Sequence, residues 1–76
     1  MNKNIYIGPI IKQKLEESPY SVARFAREIG RSRKSAYNLF KAKSIDTDLL
    51  CHISKLLKYN FFNLYTNITK SLDENT

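Results

Sequence analysis

Residues 21–43 read SVARFAREIGRSRKSAYNLFKAK, and the fold turns on how that stretch divides. Ser21 suits a helix N-cap, because its side-chain oxygen can accept from the free N–H groups of the first turn. Val22, Phe25, Ala26 and Ile29 then recur at i, i+3, i+4 and i+7, which is one face of a helix. Gly30 follows the last apolar position, where a helix commonly closes through a left-handed residue. Ser32 starts a second helix, whose inner face is Ala36, Leu39 and Phe40. Arg33, Lys34, Tyr37, Asn38 and Lys41 point mostly outward from it. The apolar positions anchor the pair of helices, while the cationic ones are held out on the opposite side.

The chain has 76 residues and a formal net charge of +6. Residues 24–43 hold seven bases (Arg24, Arg27, Arg31, Arg33, Lys34, Lys41 and Lys43) and one acid, Glu28. The rest of the chain holds six of each sign, so the whole excess lies in this segment. A charge so confined makes a local field that attracts a polyanion. The bland alternative is a solvated surface that keeps the chain soluble.

Outward from this stretch the sequence breaks into five expected helices. Helix one is expected to start at Gly8-Pro9, since proline suits a first turn. It carries Ile10, Ile11, Lys14 and Leu15 as a narrow stripe and ends at Ser18-Pro19. Helix four follows Asp46, with Asp48 in its first turn, where carboxylates are favoured. Leu49, Leu50, Ile53, Leu56 and Leu57 give it the widest apolar face in the chain. A short fifth helix follows Asn60 and carries Phe61, Phe62, Leu64 and Tyr65. The expectation is one all-α domain over 1–76, with its core at about 7–66 and a frayed polar tail at 67–76.

Several chemistries are not expected. Cys51 is the only cysteine, so there is no internal disulfide; it reads as a small, half-buried helix residue. Adjacent helical positions place Cys51 and His52 about 100° apart, which does not suit a shared metal. His52 reads as a surface or rim residue. The two glycines, Gly8 and Gly30, make no phosphate loop. No acid pair sits in an apolar setting, and no serine has a histidine partner at a useful spacing. Neither an enzyme nor a cofactor is expected, and no small-molecule ligand site is evident. No apolar run approaches the roughly 20 residues of a membrane span. A cytoplasmic location is expected.

Two helices around Gly30, the second strongly basic, have the layout of a helix-turn-helix. The chain resembles the phage repressor and Cro-like family of bacterial helix-turn-helix regulators. The likeness rests on Ser21, Phe25-Ala26, Gly30, Ser32-Arg33 and Leu39, with Ile53 and Leu57 in the following helix. It runs without gaps from Ser21 to Lys43 and covers roughly 7–65. It implies a compact five-helix repressor-like domain whose helix at about 33–42 enters the major groove of double-stranded DNA. The family's base-reading positions map onto Arg33, Lys34 and Asn38, with Tyr37 beside them. Ser21, Ser32 and Ser35 are expected at phosphates, and Arg31, Lys41 and Lys43 as phosphate clamps. Arg27 is expected to share a solvated face with Glu28.

Two departures from the family stand out. Phe40-Lys41-Ala42 replaces the usual Glu-x-Gly at the end of the recognition helix, so that helix either runs longer or exits differently. Val22 occupies a position where the family often has glutamine. The resemblance also implies a homodimer on a pseudo-palindromic operator. Tyr59, Phe61, Phe62 and Tyr65 are either its interface or ordinary core. Two other functions fit the same fold: a protein-interaction module with a toxin or phage-protein partner, and non-specific nucleic-acid binding.

Overall fold

The structure is a computed structural model, and it describes residues 5–66. Four helices follow in order: α1 (Ile7–Glu16), α2 (Val22–Glu28), α3 (Arg33–Leu39) and α4 (Thr47–Leu57). A fifth helical segment occupies 63–66. Among the described residues there is no strand, and α2 packs on α3. This is a small all-α domain of helix-turn-helix type. The expected tail at 67–76 lies outside the described residues.

Local chemistry explains each boundary. Ser21 accepts from the Arg24 N–H, Ser32 from the Ser35 N–H, and Asp46 from the Leu49 N–H, at 3.1, 3.1 and 2.8 Å. Each cap satisfies one of the donors that a helix start leaves without a partner. At the end of α2, Gly30 takes φ 71°. The Arg31 N–H then reaches the Ala26 carbonyl and the Gly30 N–H the Arg27 carbonyl, which is the closure a left-handed residue permits. α4 ends the same way on Lys58, at φ 56°, with the Tyr59 N–H on the Ser54 carbonyl.

The core gathers one face from every element. Ile7, Ile11, Leu15, Phe25, Ala26, Ala36, Leu39, Phe40, Leu50, Ile53 and Phe61 are buried. Phe25 and Phe61 are wholly enclosed, at 0 % exposure. No described polar or charged side chain is buried, so the core is held by packing alone.

Five expectations are corrected here. α1 starts at Ile7 rather than at Gly8-Pro9, and Ile7 is a core residue. Lys14 does not join the apolar stripe: its ammonium lies 4.3 Å from the Tyr59 ring centroid and 3.6 Å from Glu17 Oε1. α3 stops at Leu39 rather than near 42, with Phe40 as its C-cap. Cys51 is exposed, not half-buried, because the buried stripe of α4 narrows to Leu50 and Ile53. The fifth helical segment starts at Asn63 rather than just after Asn60, so Phe61 and Phe62 precede it. Of the two readings open for Phe61, core is the one observed: it is enclosed and meets Tyr59 edge-on at 4.8 Å.

Candidate nucleic-acid interface

The site is the outward face of α3 with the turns on either side of it. Ala36 and Leu39, with Phe40 just beyond the helix, point into the core. At about 100° per residue, Lys34 and Asn38 lie on the opposite side of the wheel, and Lys41 follows in the turn beyond the helix. All three are exposed, as are Arg31, Ser32, Arg33, Tyr37 and Lys43. Ser35 is half-buried, and Ser21 is exposed at the start of α2.

Phe40 holds α3 in place. Its ring stacks on Phe25 of α2, with centroids 5.8 Å apart. Tyr37 lies edge-on against the outer side of Phe40 at 5.9 Å and remains 51 % exposed. The ring body of Tyr37 therefore rests on the core while its hydroxyl end is free for solvent or a ligand.

The electrostatics are one-sided. Among the described residues, Arg27, Arg31, Arg33, Lys34, Lys41 and Lys43 form no ion pair. Glu28 is paired with Arg24 at 3.3 Å and not with its neighbour Arg27. That choice follows helix geometry, since i and i+4 share a face and neighbours do not. Arg24 also lies 5.3 Å from the Tyr20 ring centroid, so it is the basic residue of the segment most occupied by the fold. Lys43 lies 5.8 Å from the Tyr6 ring centroid.

The two serine caps use only their acceptor function. Ser21 and Ser32 each accept one backbone N–H, and each hydroxyl hydrogen remains available. Beside them, a shallow depression of about 340 Å³ separates α3 from the start of α4. Arg31, Ser35 and Asn38 line one side of it, and Ile45, Asp46 and Leu49 the other. Asp46 was legible as a cap, but its place at the edge of the basic face was not, because only the path of the 40–46 turn brings it there.

Of the metal-ligating residue types, no group of three or more comes together among the described residues. No helix among them is long and apolar enough to cross a membrane. No family model matches the chain, and no curated protein or solved structure matches it either.

Proposed function

We propose that the domain is a sequence-specific double-stranded DNA-binding regulator that lays α3 in the major groove. The observation that carries this reading is the face of α3: exposed, unpaired cations surround one amide and one aromatic side chain, on a helix whose other face is locked into the core. Arg33 and Lys34 in the first turn can bond guanine O6 and N7, and Asn38 can pair with adenine N6 and N7. Each good pair discriminates by about 1–3 kcal/mol. Tyr37 can offer its hydroxyl to a phosphate or its ring to a thymine methyl. Arg31, Lys41, Lys43 and the hydroxyls of Ser21, Ser32 and Ser35 would then hold the duplex in register without reading it.

One short α3 makes few base contacts, so a homodimer on two half-sites about one helical turn apart completes the proposal. With Phe61 inside the core, the half-buried Tyr59, Phe62 and Tyr65 are the residues left to form that interface. The test is selection of bound duplexes from a random library at near-physiological salt. A two-fold symmetric motif is the expected result. Absence of any enriched motif would reject specific readout and favour a protein partner or non-specific binding.

A further inference from the structure

The exit of α3 poses a problem that its own sequence does not solve. A helix commonly leaves through a left-handed glycine, and none is present at 40–43. Phe40 stays right-handed, and the chain instead tightens into two short turns. The Lys41 N–H reaches the Asn38 carbonyl at 3.1 Å, and the Ala42 N–H the Leu39 carbonyl at 3.0 Å. This turns the Ala42 and Lys43 carbonyls toward α1. There the Gly8 and Ile7 N–H groups donate to them, at 2.9 and 3.2 Å.

The first turn of α1 therefore has no side-chain cap because the exit of α3 caps it. The approach is so close that a Cβ on Gly8 would lie 2.6 Å from the Ala42 nitrogen and 2.7 Å from the Phe40 carbonyl carbon, and would strike the Leu39 carbonyl oxygen. Those are backbone atoms, which cannot rotate aside. The glycine that this exit needs is supplied from another helix, about thirty residues earlier in the chain.

Resting on the DNA-binding reading above, we infer that Gly8 is a positioning residue of the basic face. It seats α1 against the α3 exit and thereby fixes where Lys41 and Lys43 stand. Lys41 lies within this double turn, and just after it Lys43 accepts the Ile7 N–H with its carbonyl while its ammonium sits by Tyr6 at the N-cap of α1. Arg33 and Lys34, in the first turn of α3, lie outside the double turn, whereas Asn38 enters it through its carbonyl. The clamp thus governs the grip on phosphates and the seat of Asn38, and leaves the readout by Arg33 and Lys34 to the first turn.

The experiment is Gly8→Ala, followed in two ways. Amide chemical shifts of the folded variant are expected to move at residues 39–43, and the amide protons at 7 and 8 to lose protection from exchange. Unchanged shifts at 39–43 would overturn the clamp whether or not the protein binds DNA. On DNA, the slope of log affinity against log salt is expected to shrink by about one to two, at roughly 0.9 for each phosphate no longer neutralised, with the bases read by Arg33 and Lys34 unchanged in the selected motif. In a Lys41→Ala/Lys43→Ala background the same change is expected to have little further effect. An equal fall in affinity in both backgrounds would mean that Gly8 only stabilises the fold, and the inference fails. If the alanine variant does not fold, replacing the Gly8 amide by an ester in the synthetic chain removes the N–H without adding bulk. The slope and shift changes are then expected in the same direction and smaller. Should the unaltered protein bind no DNA, the functional reading falls while the shift and exchange measurements still decide the clamp.

Discussion

Phe25 and Phe40 stack with their ring planes 30° apart, and this contact joins α2 to the end of α3. It is the mechanical link between the core and the exposed basic face, since Tyr37 rests on the same Phe40 ring. Phe25 is fully enclosed, so Phe25→Ala removes a large side chain from a site that cannot collapse freely. A loss of about 3–5 kcal/mol is expected. For a domain of this size that is a large part of its stability. Urea unfolding should find the midpoint greatly lowered, and a midpoint near that of the parent would refute this placing of Phe25.

Ser32 separates capping from contact. Its oxygen accepts from the Ser35 N–H, a role that aspartate performs equally well and that suits a negative charge at a helix start. Ser32→Asp is therefore expected to leave stability within about 0.5 kcal/mol. Ser32→Ala should lose about 1 kcal/mol. On duplex DNA the order reverses: the aspartate variant should bind far more weakly than the alanine variant, because it sets a carboxylate against phosphates. Equal DNA affinities for the two would place Ser32 away from the nucleic acid.

Much of this fold could be read from residue spacing, and the exceptions share a cause. Ser21, Ser32, Asp46 and Gly30 each act through atoms within five residues, so local sequence suffices to find them. The residues misread are those whose role is set from a distance. Ile7 is core, and Gly8 has no room for a side chain, only because the backbone at the exit of α3 passes close to them. Phe61 is open to reading as interface or core until Tyr59 and the rest of the core enclose it. Cys51 is the exception: it sits next to Leu50 in sequence, and one local step of the helix turns it out to solvent. The basic face was legible in composition because all of the excess charge lies in one segment. Which cations are free was not, because Glu28 selects Arg24 by helical register.

The freedom of the α3 cations makes their reversal a clean test. Arg33 and Lys34 are exposed and form no ion pair among the described residues, so Arg33→Glu with Lys34→Glu breaks no internal salt bridge. Surface changes of this kind shift stability by about 0.5 kcal/mol or less per site. The double variant should keep its helical circular dichroism and its melting temperature within a few degrees. Its retention on duplex DNA should be abolished. Retention that survives both reversals would move the contact surface off α3, and loss of a protein partner instead of DNA would favour the interaction-module reading.

Lys58 carries the opposite kind of prediction, a gain. It closes α4 in the left-handed conformation at φ 56°, the role that Gly30 fills at the end of α2 with φ 71°. A side chain there is strained by roughly 1–2 kcal/mol, because its Cβ crowds the following carbonyl. Glycine relieves that strain, and its greater freedom in the unfolded chain offsets about half of the gain. Lys58 is exposed and in no ion pair among the described residues, so the change gives up only the attraction of its ammonium for the C-terminus of α4, about 0.3 kcal/mol at an exposed site. Lys58→Gly is expected to stabilise the domain by about 0.2–0.7 kcal/mol, which for a chain of this length raises Tm by roughly 1–5 °C. Lys58→Ala keeps the Cβ and should leave Tm nearly unchanged. If alanine raised Tm as much as glycine did, the charge of Lys58 rather than its backbone would be the source of the strain.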